Sequence, residues 1–125
     1  MSDRQRGRIE EKIRQLVAEL LIRKVKDPRV EFVSVTGVEV SRDYSVAKIM
    51  YNVVGGESEP GAVRDGLESC RGFLRGRIKK LMRMRTIPEL VFEYDTSLDK
   101  AFKIERLIQK VHEEKESADE GEPGD

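Results

Sequence analysis

Apolar residues Ile9, Ile13, Leu16, Val17, Leu20 and Leu21 recur at the spacing of one helix face. That periodicity predicts an amphipathic helix from about Gly7 to Lys26, stopped by Pro28. Glu10 with Arg14 and Glu19 with Arg23 stand four apart in the favourable order, so this helix should balance its own surface charge. From Phe32 to Val40 the pattern changes to β-branched alternation. Its apolar parity switches from odd (Val33, Val35) to even (Val38, Val40) across Thr36 and Gly37, as a β-bulge at Gly37 would require. Ala47, Ile49, Tyr51 and Val53 alternate with Lys48 and Asn52 in a second strand, and the short Ser41-Arg42-Asp43 link makes the pair a hairpin.

Gly55 to Gly61, containing Pro60, reads as a flexible loop. Val63, Leu67, Cys70, Leu74, Ile78 and Leu81 then hold the 3.6-residue period to about Met84, with Gly72 as a bend or break near the middle. Pro88 closes this region, and Leu90, Phe92 and Tyr94 face one way in a third strand. Ser97 is a candidate N-cap for a last helix carrying Leu98, Phe102, Ile104, Leu107, Ile108 and Val111. Residues 113–125 contain almost nothing apolar and are expected to be disordered. The organisation predicted is one α+β domain over residues 1–112 with a three-stranded sheet, followed by an acidic tail over 113–125.

Charge changes the picture. The 125-residue chain has a formal net charge of zero, yet residues 1–112 hold 23 Lys and Arg against 17 Asp and Glu, a balance of +6. Residues 113–125 hold one Lys against seven acids. Exposed charges interact locally, so the tail does not neutralise the body. Within the body, Arg71, Arg75, Arg77, Lys79, Lys80, Arg83 and Arg85 form a run with no acid between Glu68 and Glu89. Arg71, Arg75, Lys79 and Arg83 lie four apart, a stripe on the outer side of the long helix where like charges repel. Such a stripe calls for an anionic partner, and phosphate is the natural one.

Enzyme chemistry finds little to stand on. His112 is the single histidine, near the end of the last helix beside Glu113 and Glu114. The lone Cys70 falls on the apolar stripe as a small core hydrophobe, excludes an internal disulfide, and fits a reducing, cytosolic compartment. Asp27, Asp43 and Asp95 occupy turns, where Asp hydrogen-bonds local backbone. No metal or cofactor is implied, and no run approaches the length of a membrane span. A Gly-x-x-Gly phosphate clamp would be expected between two helices, but the spacing occurs only at Gly121 to Gly124, in the tail.

Four spaced segments are familiar together: Lys26-Asp27-Pro28-Arg29, Gly37-Val38-Glu39-Val40-Ser41-Arg42-Asp43, Gly72-Phe73-Leu74-Arg75 and Arg85-Thr86-Ile87-Pro88-Glu89-Leu90. With their element order they make residues 8–108 resemble the ribosome-binding factor A family. The resemblance implies a type II KH-like fold of helix, strand, strand, helix, bend, helix and strand with a C-terminal helix. The Gly-x-x-Gly loop is replaced there by an Ala-x-Gly bend, which in this chain reads Cys70-Arg71-Gly72. It also implies binding to the 30S subunit and its 16S rRNA late in assembly, help with maturation of the 5′ end of that RNA, above all in the cold, and no enzymatic activity. Assembly GTPases are further partners it brings in.

The expectation is therefore a cytoplasmic, monomeric assembly factor without a cofactor. It would grip rRNA phosphates through Arg71, Arg75, Arg77, Lys79, Lys80, Arg83 and Arg85, helped by Arg4, Arg6, Arg8, Arg29 and Arg42. Two other classes compete with it: an adaptor whose basic helix meets an acidic protein, and a small metal-dependent phosphodiesterase.

Overall fold

The computed structural model of the chain describes residues 3–55 and 59–121. The elements follow in the order α1 (Asp3–Arg23), a 3-10 turn (Pro28–Val30), β1 (Val33–Val40), β2 (Val46–Val53), α2 (Pro60–Met82), β3 (Glu89–Tyr94) and α3 (Ser97–Gly121). Two compact units divide between Asp95 and Thr96, ahead of α3, whereas sequence composition drew the boundary after His112.

In the first unit, one sheet of order β1-β2-β3 carries both helices. β1 and β2 are antiparallel and β2 and β3 parallel, so α2 is the crossover that returns the chain to the sheet. The register slips between Val35, opposite Tyr51, and Gly37, opposite Met50. This is the bulge that the parity switch predicts, and it lets Val35, Val38 and Val40 all turn inward. They meet Ile13, Val17 and Leu20 of α1, Ala47 and Ile49 of β2, Leu67, Leu74 and Ile78 of α2, and Leu90 of β3 in a single core. On the solvent face Lys48 bridges Glu39 at 3.5 Å and Glu93 at 3.4 Å.

Several boundaries differ from the periodic reading. α1 starts at Asp3 and stops at Arg23, short of Pro28. Pro28 instead opens the 3-10 turn, with the Asp27 side chain accepting from the Arg29 backbone N–H as its cap. Pro60 is not in a loop but in the first turn of α2, preceded by Glu59 at the N-cap; Gly56 to Ser58 of the expected loop lie outside the described residues. α2 runs unbroken through Cys70, Arg71 and Gly72, so the two half-helices expected there are one helix. Leu67, Cys70, Leu74 and Ile78 stay buried on one continuous face, and that common burial holds the helix in phase across the glycine. Leu81, expected inside, is 55 % exposed at the helix end.

The second unit is α3. Its first backbone bond runs from Lys100 N–H to Thr96 C=O, which gives the N-cap position to Thr96 rather than Ser97. Phe102, Ile104, Leu107, Ile108 and Val111 are exposed. Helical backbone continues to Gly121, so the segment expected to be disordered from residue 113 is helical through that point. Glu, Lys and Ala dominate there, and their helix propensity favours extension of the element. Residues 122–125 lie outside the described residues.

Candidate nucleic-acid interface

The basic run of α2 divides in two. Arg71 is half-exposed and paired with Glu68 at 3.4 Å, one turn before it. Arg75 is a strut: its Nε donates to Pro88 C=O at 3.2 Å and its Nη2 to Ile87 C=O at 2.9 Å, with Glu89 Oε1 at 3.5 Å from Nη2. The guanidinium thereby ties α2 to the link that enters β3. Arg77 lies over the Phe73 ring with Cζ 5.8 Å from its centroid, a cation–π contact. The last four cations differ. Lys79, Lys80, Arg83 and Arg85 are exposed, and none forms an ion pair among the described residues. Arg83 does not continue the helical stripe, because it is the C-cap of α2 in left-handed conformation, φ 53°. The stripe of four is therefore a helical pair, Lys79 and Lys80, followed by two arginines on the link.

This link meets the hairpin. Glu89 N–H donates to Ser45 C=O at 2.9 Å, placing the start of β3 beside the β1–β2 turn. In that turn Tyr44 takes a positive φ of 60°, and Tyr44 N–H donates to Ser41 C=O at 2.9 Å. Asp43 Oδ1 accepts from the hydroxyls of Ser41 and Ser45, each at 2.7 Å, and from Ser45 N–H at 3.1 Å. These hydrogen bonds, that from Ser45 Oγ first, hold the Asp43 carboxyl at a pKa of about 2. Arg42, beside it, is exposed and forms no ion pair among the described residues. α1 reaches the same end, where Glu10 Oε2 accepts from Val40 N–H at 2.8 Å. Glu10 is thus spent on the sheet, and Arg14 pairs with Glu11 instead of the predicted Glu10. Arg4 and Arg8, in the first turns of α1, are exposed and outside any ion pair among the described residues; Arg6 pairs with Asp3 at 3.2 Å. The hairpin that carries Arg42 thus meets α1 through Glu10 and the start of β3 through Glu89.

Arg29 is elsewhere. It precedes β1 at the opposite end of that strand, where its Nη2 donates to Asp27 Oδ2 at 2.7 Å and to Ser69 Oγ at 3.3 Å. The bond to Arg29 holds the Asp27 carboxyl below its ordinary range. The Asp27-Pro28-Arg29 motif is thus a clasp between the 3-10 turn and α2. Gly66 makes the clasp possible, since a Cβ there would stand 2.8 Å from Val30 Cγ1 and 2.9 Å from Arg29 Cβ. The sequence reading overlooked Gly66. Its signal was a glycine three residues after Val63, in phase with the buried stripe of α2.

The residues considered for catalysis are occupied locally. Asp27 caps the 3-10 turn, Asp43 organises the hairpin, and Asp95 accepts from Thr36 Oγ1 at 2.6 Å. Burial pushes the Cys70 thiol up, and its Sγ donates to Leu67 C=O at 3.3 Å. Among the described residues no group of three or more His, Cys, Asp or Glu side chains could hold a metal ion, and no helix is long and apolar enough to cross a membrane.

The family model for ribosome-binding factor A matches residues 5–108 of this chain. The chain belongs to the ribosome-binding factor A family. It is 38 % identical over 112 residues to the ribosome-binding factor A of Geotalea uraniireducens, covering 90 % of this chain and 92 % of that one. The crystal structure of the factor from Thermus thermophilus superposes with a TM-score of 0.64 at 24 % identity, over 71 % of this chain and 93 % of that one, and supports the fold. A Thermus thermophilus homology model fitted into a cryo-electron-microscopy map of a complex with the 30S subunit superposes with a TM-score of 0.60. It is 27 % identical, over 73 % of this chain and 96 % of that one. The architecture is accordingly KH-like, α+β with a three-stranded sheet.

Proposed function

We propose that this chain binds the 30S subunit late in its assembly, gripping 16S rRNA through phosphates and assisting maturation of the 5′ end of that RNA, especially in the cold. It acts in the cytoplasm as a monomer and binds without catalysing, with assembly GTPases as candidates for its release. The observation that carries the reading is the set of exposed cations without ion pairs among the described residues, Lys79, Lys80, Arg83 and Arg85, whose link adjoins the hairpin bearing Arg42. Phosphate contacts position a protein without reading bases, so selectivity would come from the shape of the RNA and the surrounding subunit surface. Family membership and the relative fitted to a 30S complex favour this partner over an acidic protein.

Co-sedimentation with purified 30S subunits over a salt series tests the proposal. The logarithm of affinity should fall linearly with the logarithm of salt, with a slope of roughly −0.7 to −0.9 per phosphate contacted. The quadruple variant K79A/K80A/R83A/R85A should flatten that slope, and an unchanged slope would remove these residues from the interface.

A further inference from the structure

A groove of about 330 Å³ lies between α1 and α2. Leu16, Leu20 and Leu81 supply its apolar wall, and Arg23, Lys24, Arg77 and Glu19 its charged rim. Three cations face one carboxylate there. Glu19 is spent on Arg23, one turn away at 3.5 Å, and makes no bond to Arg77. The Arg77 guanidinium lies over Phe73, and its Nε is buried without a hydrogen-bond partner among the described residues. A guanidinium so placed gives up water at one nitrogen with no protein acceptor in return. Arg77 is only partly buried, and its remaining donors stay available to an anion. The exposed side of Leu81 beside these cations lowers the local dielectric and strengthens any such contact.

We propose that the α1–α2 groove is a phosphate site, in which Arg77, Arg23 and Lys24 together take one backbone phosphate of the bound RNA while its sugar lies against Leu81. The inference rests on the RNA-binding reading above. It assigns binding roles to Lys24 and to Arg23, which its spacing from Glu19 alone makes look self-neutralised. The groove exceeds the volume of one phosphate, in keeping with a phosphate and its attached ribose rather than a free ion.

The test uses the full chain, labelled with nitrogen-15 at arginine side chains. Inorganic phosphate is titrated at constant ionic strength held with chloride. The Arg77 Nε–Hε signal should shift saturably, and the Arg23 signal should follow it with the same midpoint. The exposed double variant R23Q/K24Q, whose amide spectrum reports the fold, should weaken the phosphate response. It should also lower 30S affinity by roughly three- to tenfold at 0.1 M salt, with a slope reduced by about one contact. R77K, which keeps charge but loses the planar fork, should give an intermediate loss.

Absence of a saturable Arg77 response would overturn the site. Saturation by phosphate with 30S affinity unchanged in R23Q/K24Q would leave an adventitious ion only and overturn the RNA contact. Loss of binding to poly-glutamate in R23Q/K24Q with 30S affinity intact would overturn it in favour of an acidic protein. If K79A/K80A/R83A/R85A flattens the salt slope and R23Q/K24Q does not, the groove inference fails while the proposed function stands.

Discussion

The first three arginines of the α2 run and the four cations that follow differ in what surrounds them. Arg71, Arg75 and Arg77 are half-buried and lie beside Glu68, the carbonyls of Ile87 and Pro88, and the ring of Phe73, respectively. Lys79, Lys80, Arg83 and Arg85 are exposed without ion pairs among the described residues, although nothing in the sequence separates the two groups. The difference arises because the chain turns back after Arg83. The link to β3 buries Ile87 and Pro88 and offers their carbonyls to Arg75, while the side chains of Lys79, Lys80, Arg83 and Arg85 face outward. Density of charge along a chain is thus a poor guide to charge available to a ligand. A guanidinium already donating to two backbone carbonyls has given up part of what a phosphate would recognise.

The strongest way to break this comparison is K79A/K80A/R83A/R85A. Removing four phosphate contacts should reduce 30S affinity by roughly a hundred- to a thousandfold at 0.1 M salt, while urea unfolding moves by less than about 0.5 kcal/mol. A large loss of stability would mean that the second group, like Arg75, is structural.

Gly66→Ala should give the largest change in stability. The added Cβ would stand within 3 Å of both Val30 Cγ1 and Arg29 Cβ, and the clasp must shift. A cost of about 1–3 kcal/mol is expected in chemical denaturation, and a neutral outcome would mean that the 3-10 turn moves freely. Arg75→Ala should cost about 1–2 kcal/mol, chiefly from the carbonyls of Ile87 and Pro88, since the exposed pair with Glu89 adds little. Its salt slope on 30S binding should stay near that of the natural chain. A slope reduced by a full contact would transfer Arg75 to the interface.

Gly72→Ala has the opposite sign. No atom outside the helix lies within 4 Å of a Cβ there, and the helix is continuous, so stability should rise by about 0.5–1 kcal/mol. A destabilised variant would restore the bend that the family resemblance implies. The smallest effect is at the hairpin. Asp43 titrates at about 2 when folded, below its ordinary value of 3.8, so its contribution is full above pH 4 and is lost as pH falls through 2. The Ser45 amide signal should follow that titration with a midpoint near 2, and a midpoint near 3.8 would mean that the turn does not hold the carboxylate.

The fold was legible where one physical rule acts along the chain. The parity switch between Val35 and Val38 revealed the bulge because successive strand residues alternate faces, and an extra residue must turn every later side chain over. The buried face of α2 from Val63 to Ile78 followed from its period in the same way. Helix ends were less legible. The pattern reads Pro28 as a stop and Pro60 as part of a loop, yet each opens a helical turn, where its missing N–H costs nothing.

The sequence by itself determined the element types, the core-facing stripes, the bulge and the excess of basic charge on the body, because side-chain chemistry and backbone period are local properties. Only the tertiary structure decided which cations remain available. Glu10 leaves Arg14 for Val40, Arg29 is claimed by Asp27 and Ser69, and Arg75 is claimed by carbonyls twelve and thirteen residues away. A charged group is spent or free according to the acceptors that folding brings to it, and those come from chain segments whose approach no local pattern encodes.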